Sequence, residues 1–226
     1  MPPSTPFSTP GGIPRWHWQP WQGGERAPAG GAWAAAHDWL ATLPGVPEGA
    51  LPLHRDLHGR PRFAAGIDAD AGWSHSGDGL LLAFARGAML GVDMEYERPR
   101  PKALEIARRH FAPPEAAWLE SHAPTAGSGA EGALSPRDLA FLRLWCAKEA
   151  VLKAHGRGLA FGLHRLAFAE IDGALVLAEA DPALGDAAAW SLHEFVPHPG
   201  YRAALAWRSS GPSGPDGEGV SPEGTP

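Results

Sequence analysis

The chain has 226 residues, 44% of them hydrophobic and 19% charged, the composition of a soluble globular protein with room for a real core in one or two domains. A net charge of −6 without any polybasic run gives no reason to expect nucleic-acid binding, and a single cysteine, Cys146, excludes an intramolecular disulfide and a cysteine-rich zinc site. No apolar stretch approaches the roughly 20 residues of a membrane span, and no charged-then-apolar leader is present, so a cytoplasmic protein without membrane contact is expected.

Residues 1–31 are rich in Pro, Gly and Trp. Positions 1–12 read as a loose tail, and Ile13-Pro14-Arg15-Trp16-His17-Trp18 alternates as a short edge strand with Pro14 near its start. The tryptophans are read as packing groups in preference to a ligand-stacking platform. Residues 32–43 have helical composition, with apolar side chains at Trp33, Ala36, Leu40 and Leu43. Gly59-Arg60-Pro61 is a turn that lets backbone approach closely, since Gly has no side chain and Pro fixes φ. Trp73-Ser74-His75-Ser76 is read as another turn, leading into an apolar strand at 80–85. Ser74 and His75 do not make a nucleophile and its base, because adjacent strand residues point opposite ways.

Residues 80–85 and 89–96, joined by Arg86-Gly87-Ala88, read as a hairpin. In the second strand Asp93 and Glu95 are two apart and project from one face. Two such carboxylates repel unless a cation lies between them. The segment Arg98-Pro99-Arg100-Pro101 follows as an extended linker, its arginines read as solvated in preference to a phosphate contact by one of them. Helices are predicted at 102–110 and 114–121, and a flexible loop of small residues at 123–134.

The longest helix is predicted at 136–155. Ser135 is its N-cap, Pro136 lies in its first turn and Gly156 is its C-cap. Leu139, Leu142, Trp145 and Leu152 make it amphipathic. Trp145, Glu149 and Lys153, spaced i, i+4, i+8, lie along one side, and Lys148 flanks them. Alone, Glu149 between two lysines is ordinary helix charge pairing. With Asp93 and Glu95, however, Glu149 completes an oxygen-only set suited to Mg²⁺, and the lysines suit phosphate. The pattern points to Mg²⁺-assisted chemistry on a phosphate-containing substrate. Cys146 is read as a packing residue. Strands are predicted at 163–171, 174–178, 190–196 and 201–207, and a disordered tail at 209–226.

Two stretches carry a resemblance. Gly91-Val92-Asp93-Met94-Glu95 and Trp145-Cys146-Ala147-Lys148-Glu149-Ala150-Val151-Leu152-Lys153 resemble the paired signatures of the 4'-phosphopantetheinyl transferases. Gly59-Arg60-Pro61 is similar to the family's Gly-Lys-Pro, and Ser74-His75 to its Ser-His. Gly156-Arg157-Gly158-Leu159 is similar to its Gly-Lys-Gly-Leu, and the likeness runs from about 32 to 207. It implies an α+β fold of two similar halves in a pseudo-twofold arrangement, each a small antiparallel sheet with a packed helix. The halves would be 32–99 and 100–208, between the N-terminal segment 1–31 and the tail 209–226, with the active site between them.

The resemblance further implies coenzyme A as donor, a serine of an acyl or peptidyl carrier protein as acceptor, and 3',5'-ADP as leaving group. Asp93, Glu95 and Glu149 would hold Mg²⁺. Lys148 and Lys153 would bind phosphates, with Lys153 also neutralising the leaving group. Glu149 would take the serine proton, directly or through a water. Gly59, Arg60 and Pro61 would line the adenine and ribose side, and Ser74 and His75 would touch a coenzyme phosphate. One chain carrying both halves is expected to act as a monomer. The chain departs from the family at 32–43, which contains no Arg or Lys, and at Trp73 or Gly72, one of which, depending on alignment, stands where the family has Asn. Two other readings remain open: a Mg²⁺-dependent nucleotide phosphohydrolase, and a non-catalytic relative that binds carrier protein or coenzyme A.

Overall fold

Alternation along the apolar strands decides how the layers stack, because successive strand residues face opposite ways. A computed structural model describes residues 14–21, 31–44, 46, 51, 53–57, 59–123 and 134–210. The tail predicted at 1–12, most of the loop predicted at 123–134 and positions 211–226 of the C-terminal tail lie outside the described residues. In chain order the elements begin with β1 (Arg15–Pro20), α1 (Gly31–Thr42), β2 (His54–Arg55) and β3 (Pro61–Arg62). Then come β4 (Ala69–Ser76), β5 (Gly79–Arg86), β6 (Ala88–Tyr96), α2 (Ala103–His110), α3 (Pro113–Ser121) and α4 (Pro136–His155). The last are β7 (Leu166–Ile171), β8 (Ala174–Ala180), β9 (Ser191–Phe195) and β10 (Tyr201–Ser209).

Two three-stranded antiparallel sheets dominate, ordered β1-β5-β4 and β6-β10-β9. β1 is an edge strand, as its Pro content requires. Leu80 and Leu82 of β5 turn to α1 and pack with Ala36. Leu81, Ala83 and Ala85 turn the other way, onto Leu90, Val92 and Met94 of β6 and Leu205 and Trp207 of β10. The outer face of the second sheet is covered by α4, whose Ala147, Ala150 and Val151 share a core with Ala204 and Ala206. The molecule is therefore α+β, with small antiparallel sheets and packed helices.

The hairpin predicted from 80–85 and 89–96 is corrected. β5 pairs with β4 and β1, whereas β6 pairs with β10 in a register that sets Asp93 opposite Ala204 and Glu95 opposite Arg202. Gly87 is the crossing between the sheets and not a hairpin turn. The predicted turn at 73–76 is the end of β4, and 163–165 is a 3-10 turn ahead of β7. Ser209, assigned to the tail, is the last residue of β10, and Ser210 N donates to Gly87 O at 2.9 Å.

α4 begins and ends where predicted. Ser135 Oγ accepts from Asp138 N at 3.1 Å, and Asp138 Oδ2 accepts from Ser135 N at 2.9 Å, a reciprocal N-terminal box. Gly156 stops the helix with φ 93°, a left-handed backbone that suits Gly. The amphipathic expectation gives way to a helix buried on most sides, because two sheets' worth of chain and α2 and α3 surround it. No described helix is long and apolar enough to cross a membrane.

Candidate active site

β4 and β6 lie side by side and run in the same direction, so that Ser74 meets Asp93 and Ser76 meets Glu95. No backbone ladder joins these two strands, and side chains bridge the seam. α4 presses onto β6 at Gly91. A Cβ there would stand 1.9 Å from Ala150 O and 2.5 Å from Ala154 N, so only Gly permits this approach. The contact brings Glu149 and Lys153 to the acids of β6.

Lys153 Nζ donates to Asp93 Oδ1 at 2.6 Å and to Ser74 Oγ at 3.1 Å, and Ser74 Oγ donates to the same Asp93 oxygen at 2.9 Å. Burial alone works to lower the Lys153 ammonium, but the charge and hydrogen bond of Asp93, joined by Glu149, together hold it above its ordinary value. Glu95 Oε2 accepts from Arg100 Nη2 at 2.7 Å and from Ser76 Oγ at 3.0 Å. Glu149 is buried beside these groups. Burial first, and then the Asp93 charge, push its carboxyl from 4.5 up to about 7, with Lys153 opposing. Asp93 Oδ2 and Glu149 Oε1 are both buried without a hydrogen-bond partner.

Among the described residues no three acidic, histidine or cysteine side chains close into a metal cage. Lys153 and Arg100 each hold one carboxylate in the place a cation would take. The two orphaned oxygens, on Asp93 and Glu149, nevertheless fit a hard cation that accepts oxygen ligands.

The raised carboxyl of Glu149 makes stability depend on pH. Between about 4.5 and about 7 the folded chain holds a proton that the unfolded chain releases, so this contribution is full at the acid end and lost as the pH rises through about 7. The melting temperature of metal-free protein is expected to fall from pH 5 to 8, and Glu149→Gln to flatten that fall. Melts in a chelating buffer at fixed ionic strength check this, and equal slopes for the two proteins would exclude it.

Next to the seam opens a cleft of about 370 Å³. Arg55, Arg60, Lys153 and Arg157 line it, and no carboxylate does so among the described residues. Gly59, Pro61, Gly72, Gly156 and Gly158 keep its walls low, and Trp73 gives it an aromatic side. Arg55 lies 4.5 Å over the Trp33 ring, which meets Trp73 edge-on.

The residues singled out from sequence divide clearly. Asp93, Glu95, Glu149 and Lys153 come together, and Gly59, Arg60 and Pro61 line the cleft. Arg60 also braces the fold, bonding Asp70 and Leu90 O from its buried guanidinium. Ser74 is buried between Asp93 and Lys153 and does not line the cleft. His75 is exposed, on the opposite side of β4 from Ser74.

The phosphate contact expected of Lys148 is corrected. Its ammonium is fully buried and donates to Leu163 O at 2.8 Å and Leu166 O at 2.6 Å, with Glu115 Oε2 at 2.7 Å. All three donors are taken, inside the core beneath α3. Cys146 is buried, its thiol pushed well above its ordinary value by burial and then by Asp93 and Glu95, in keeping with packing. Arg100, expected to be a solvated linker arginine, is instead paired with Glu95, and neither it, Arg55 nor Arg157, the last noted only within Gly-Arg-Gly-Leu, was given a site role from the sequence. Each is an isolated arginine without a periodic signal, although Arg100 does sit five residues after Glu95.

A cationic cleft that opens on clustered carboxylates has the charge pattern that suits a phosphate-bearing ligand. Residues 89–206, just over half of the chain, match the family model of the 4'-phosphopantetheinyl transferase superfamily. The chain belongs to this superfamily. It is 33% identical over 168 residues to the 4'-phosphopantetheinyl transferase HetI of Nostoc, covering 72% of this chain and 62% of that protein. It is 32% identical over 122 residues to the 4'-phosphopantetheinyl transferase AcpT of Salmonella typhi, covering 52% and 58%. A phosphopantetheinyl transferase of Thraustochytrium is 36% identical over 127 residues, covering 52% and 42%. The chain spans between about a third and three fifths of the length of the curated relatives it matches.

Proposed function

We propose that the chain transfers the phosphopantetheine arm of coenzyme A to a serine of an acyl or peptidyl carrier protein. The observation that carries this reading is the position of Lys153, which lines the cationic cleft and bonds Asp93 at the seam. A polyanion held in the cleft thus lies against the acids. Arg55, Arg60 and Arg157 suit the nucleotide phosphates, and Trp73 suits a base or pantetheine edge. This set stands in for the basic residues that 32–43 lacks.

In the transfer the serine oxygen forms a bond to the β-phosphorus, the bond from that phosphorus to its bridging oxygen breaks, and 3',5'-ADP leaves. Lys153 faces the oxygen that gains charge. The serine proton passes to Glu149, directly or through a water. Asp93 and Glu149 would hold Mg²⁺ on their orphaned oxygens, joined by Glu95. When bound, the ion neutralises charge on the pyrophosphate oxygens.

Intact mass measurement of several apo carrier proteins, incubated with the protein, coenzyme A and Mg²⁺, tests the reading. A phosphopantetheine-sized gain on the carrier serine is expected, and Glu149→Gln is expected to slow it by about 100-fold. Breakdown of coenzyme A without any carrier would instead identify a phosphohydrolase. No gain on any carrier, together with no metal-dependent binding of coenzyme A, would sink the transferase reading.

A further inference from the structure

The geometry points to Arg100 as a resident counter-ion that an entering divalent cation displaces from Glu95, so that Arg100 sets the affinity of the seam for the ion. The inference rests on the reading of the seam as a metal site. Arg100 Nη2 and Glu95 Oε2 are 2.7 Å apart, and both side chains are about one-fifth exposed, open enough to exchange partners.

The backbone of Arg100 is anchored independently of its guanidinium. Arg100 N donates to Asp138 Oδ1 at 2.7 Å, within the N-terminal box of α4, and Arg100 O accepts from Ala103 N at 2.8 Å at the start of α2. Exchange of the guanidinium's partner would therefore leave both helix contacts in place. It is also incompletely satisfied where it stands, since Arg100 Nε is buried without a hydrogen-bond partner. Glu95, by contrast, keeps an anchor when Arg100 leaves. Ser76 Oγ donates to its Oε2 at 3.0 Å and itself accepts from Tyr96 N at 3.0 Å, which holds the carboxylate toward the seam.

Charge balance gives the direction. With all three acids ionised, Asp93, Glu95 and Glu149 carry three negative charges, and Lys153 with a divalent cation supplies three positive ones. Arg100 added to that set leaves an excess positive charge beside the ion. Like-charge repulsion at this range favours release of the arginine. Arg100 and Lys153 each serve one carboxylate, which offsets the repulsion among the three acids.

Mn²⁺ titrations followed by electron paramagnetic resonance of the free ion, at fixed ionic strength, test this without any catalytic readout. Arg100→Gln is expected to tighten Mn²⁺ binding roughly fivefold, of the order of one released ion pair. Arg100→Lys, which keeps the charge, is expected to stay near the wild-type affinity. Glu95→Gln is expected to weaken binding, and adding Arg100→Gln to it to give no tightening. Unchanged or weaker binding by Arg100→Gln, with wild type binding and Glu149→Gln impaired, would overturn the role of Arg100 and leave the proposed function standing. Absence of Mn²⁺ binding by wild type, with and without coenzyme A, would overturn both the role of Arg100 and the metal site beneath it.

Discussion

Gly91→Ala is expected to lower the melting temperature by about 10 °C or more, or to prevent folding. The added Cβ would meet Ala150 O and Ala154 N, both backbone atoms of α4, at 1.9 and 2.5 Å. No side chain can rotate away to make room, so the helix itself must lift off β6. Overpacking of a tight core costs about 1–3 kcal/mol, and a clash of backbone on backbone belongs at or beyond the upper end. At about 2–4 °C per kcal/mol for a chain of this size, the loss is large and easily measured. The same lift separates Glu149 and Lys153 from Asp93, so any folded variant loses its site as well. Gly72→Ala is the control, since its Cβ would meet only Val92 Cγ1 at an ordinary 3.8 Å. Melting of Gly91→Ala within about 2 °C of wild type would show that α4 does not rest on β6 as described.

Lys148→Met is expected to destabilise by about 3–5 kcal/mol, the usual cost of removing one partner from a buried ion pair. Burial lowers the Lys148 ammonium and raises the Glu115 carboxyl, and each group opposes the other's shift. Methionine would leave Glu115 facing an apolar side chain, and the carbonyls of Leu163 and Leu166 without their donor. Glu115 also accepts from Ala112 N and Phe168 N, both at 2.9 Å, so the damage spreads to α3 and β7. Adding Glu115→Gln removes the uncompensated charge while keeping an acceptor, and is expected to recover about 1–2 kcal/mol. Denaturant unfolding of the two single variants and the double variant checks this. A loss below about 1 kcal/mol for Lys148→Met would count against the buried pair. Arg157, on the segment between Lys148 and the carbonyls it holds, ties this interior bond to the wall of the cleft.

Local signals told most where structure is local. Ser135 and Pro136 start α4, Gly156 ends it, and the two-residue spacing of Asp93 and Glu95 does place them on one seam. Two kinds of information were not local. The partner of β6 is one: a short turn between two apolar runs imitates a hairpin, and only the packing of α4 on the opposite face sends β6 to β10. The other is direction around the helix. Lys148 adjoins Glu149 in sequence, but one residue turns a helix by about 100°, enough to carry its ammonium from the seam into the core. Arg100 and Arg157 gave no periodic pattern, and their roles come from where folding leaves their backbones.

The pairing of β6 also has a consequence in time. The strands of the first sheet all lie before Gly87, so that sheet can close early as the chain leaves the ribosome. β6, which carries Asp93 and Glu95, must wait for β10, more than a hundred residues downstream. Such distant pairing is slow, and it leaves an apolar strand edge open to wrong partners meanwhile. The acids of β6 are thus synthesised well before Glu149 and Lys153 but are among the last site residues to be locked in place. Slow translation through 97–200 would prolong the vulnerable interval, and a chaperone that shields exposed strands would have its work there.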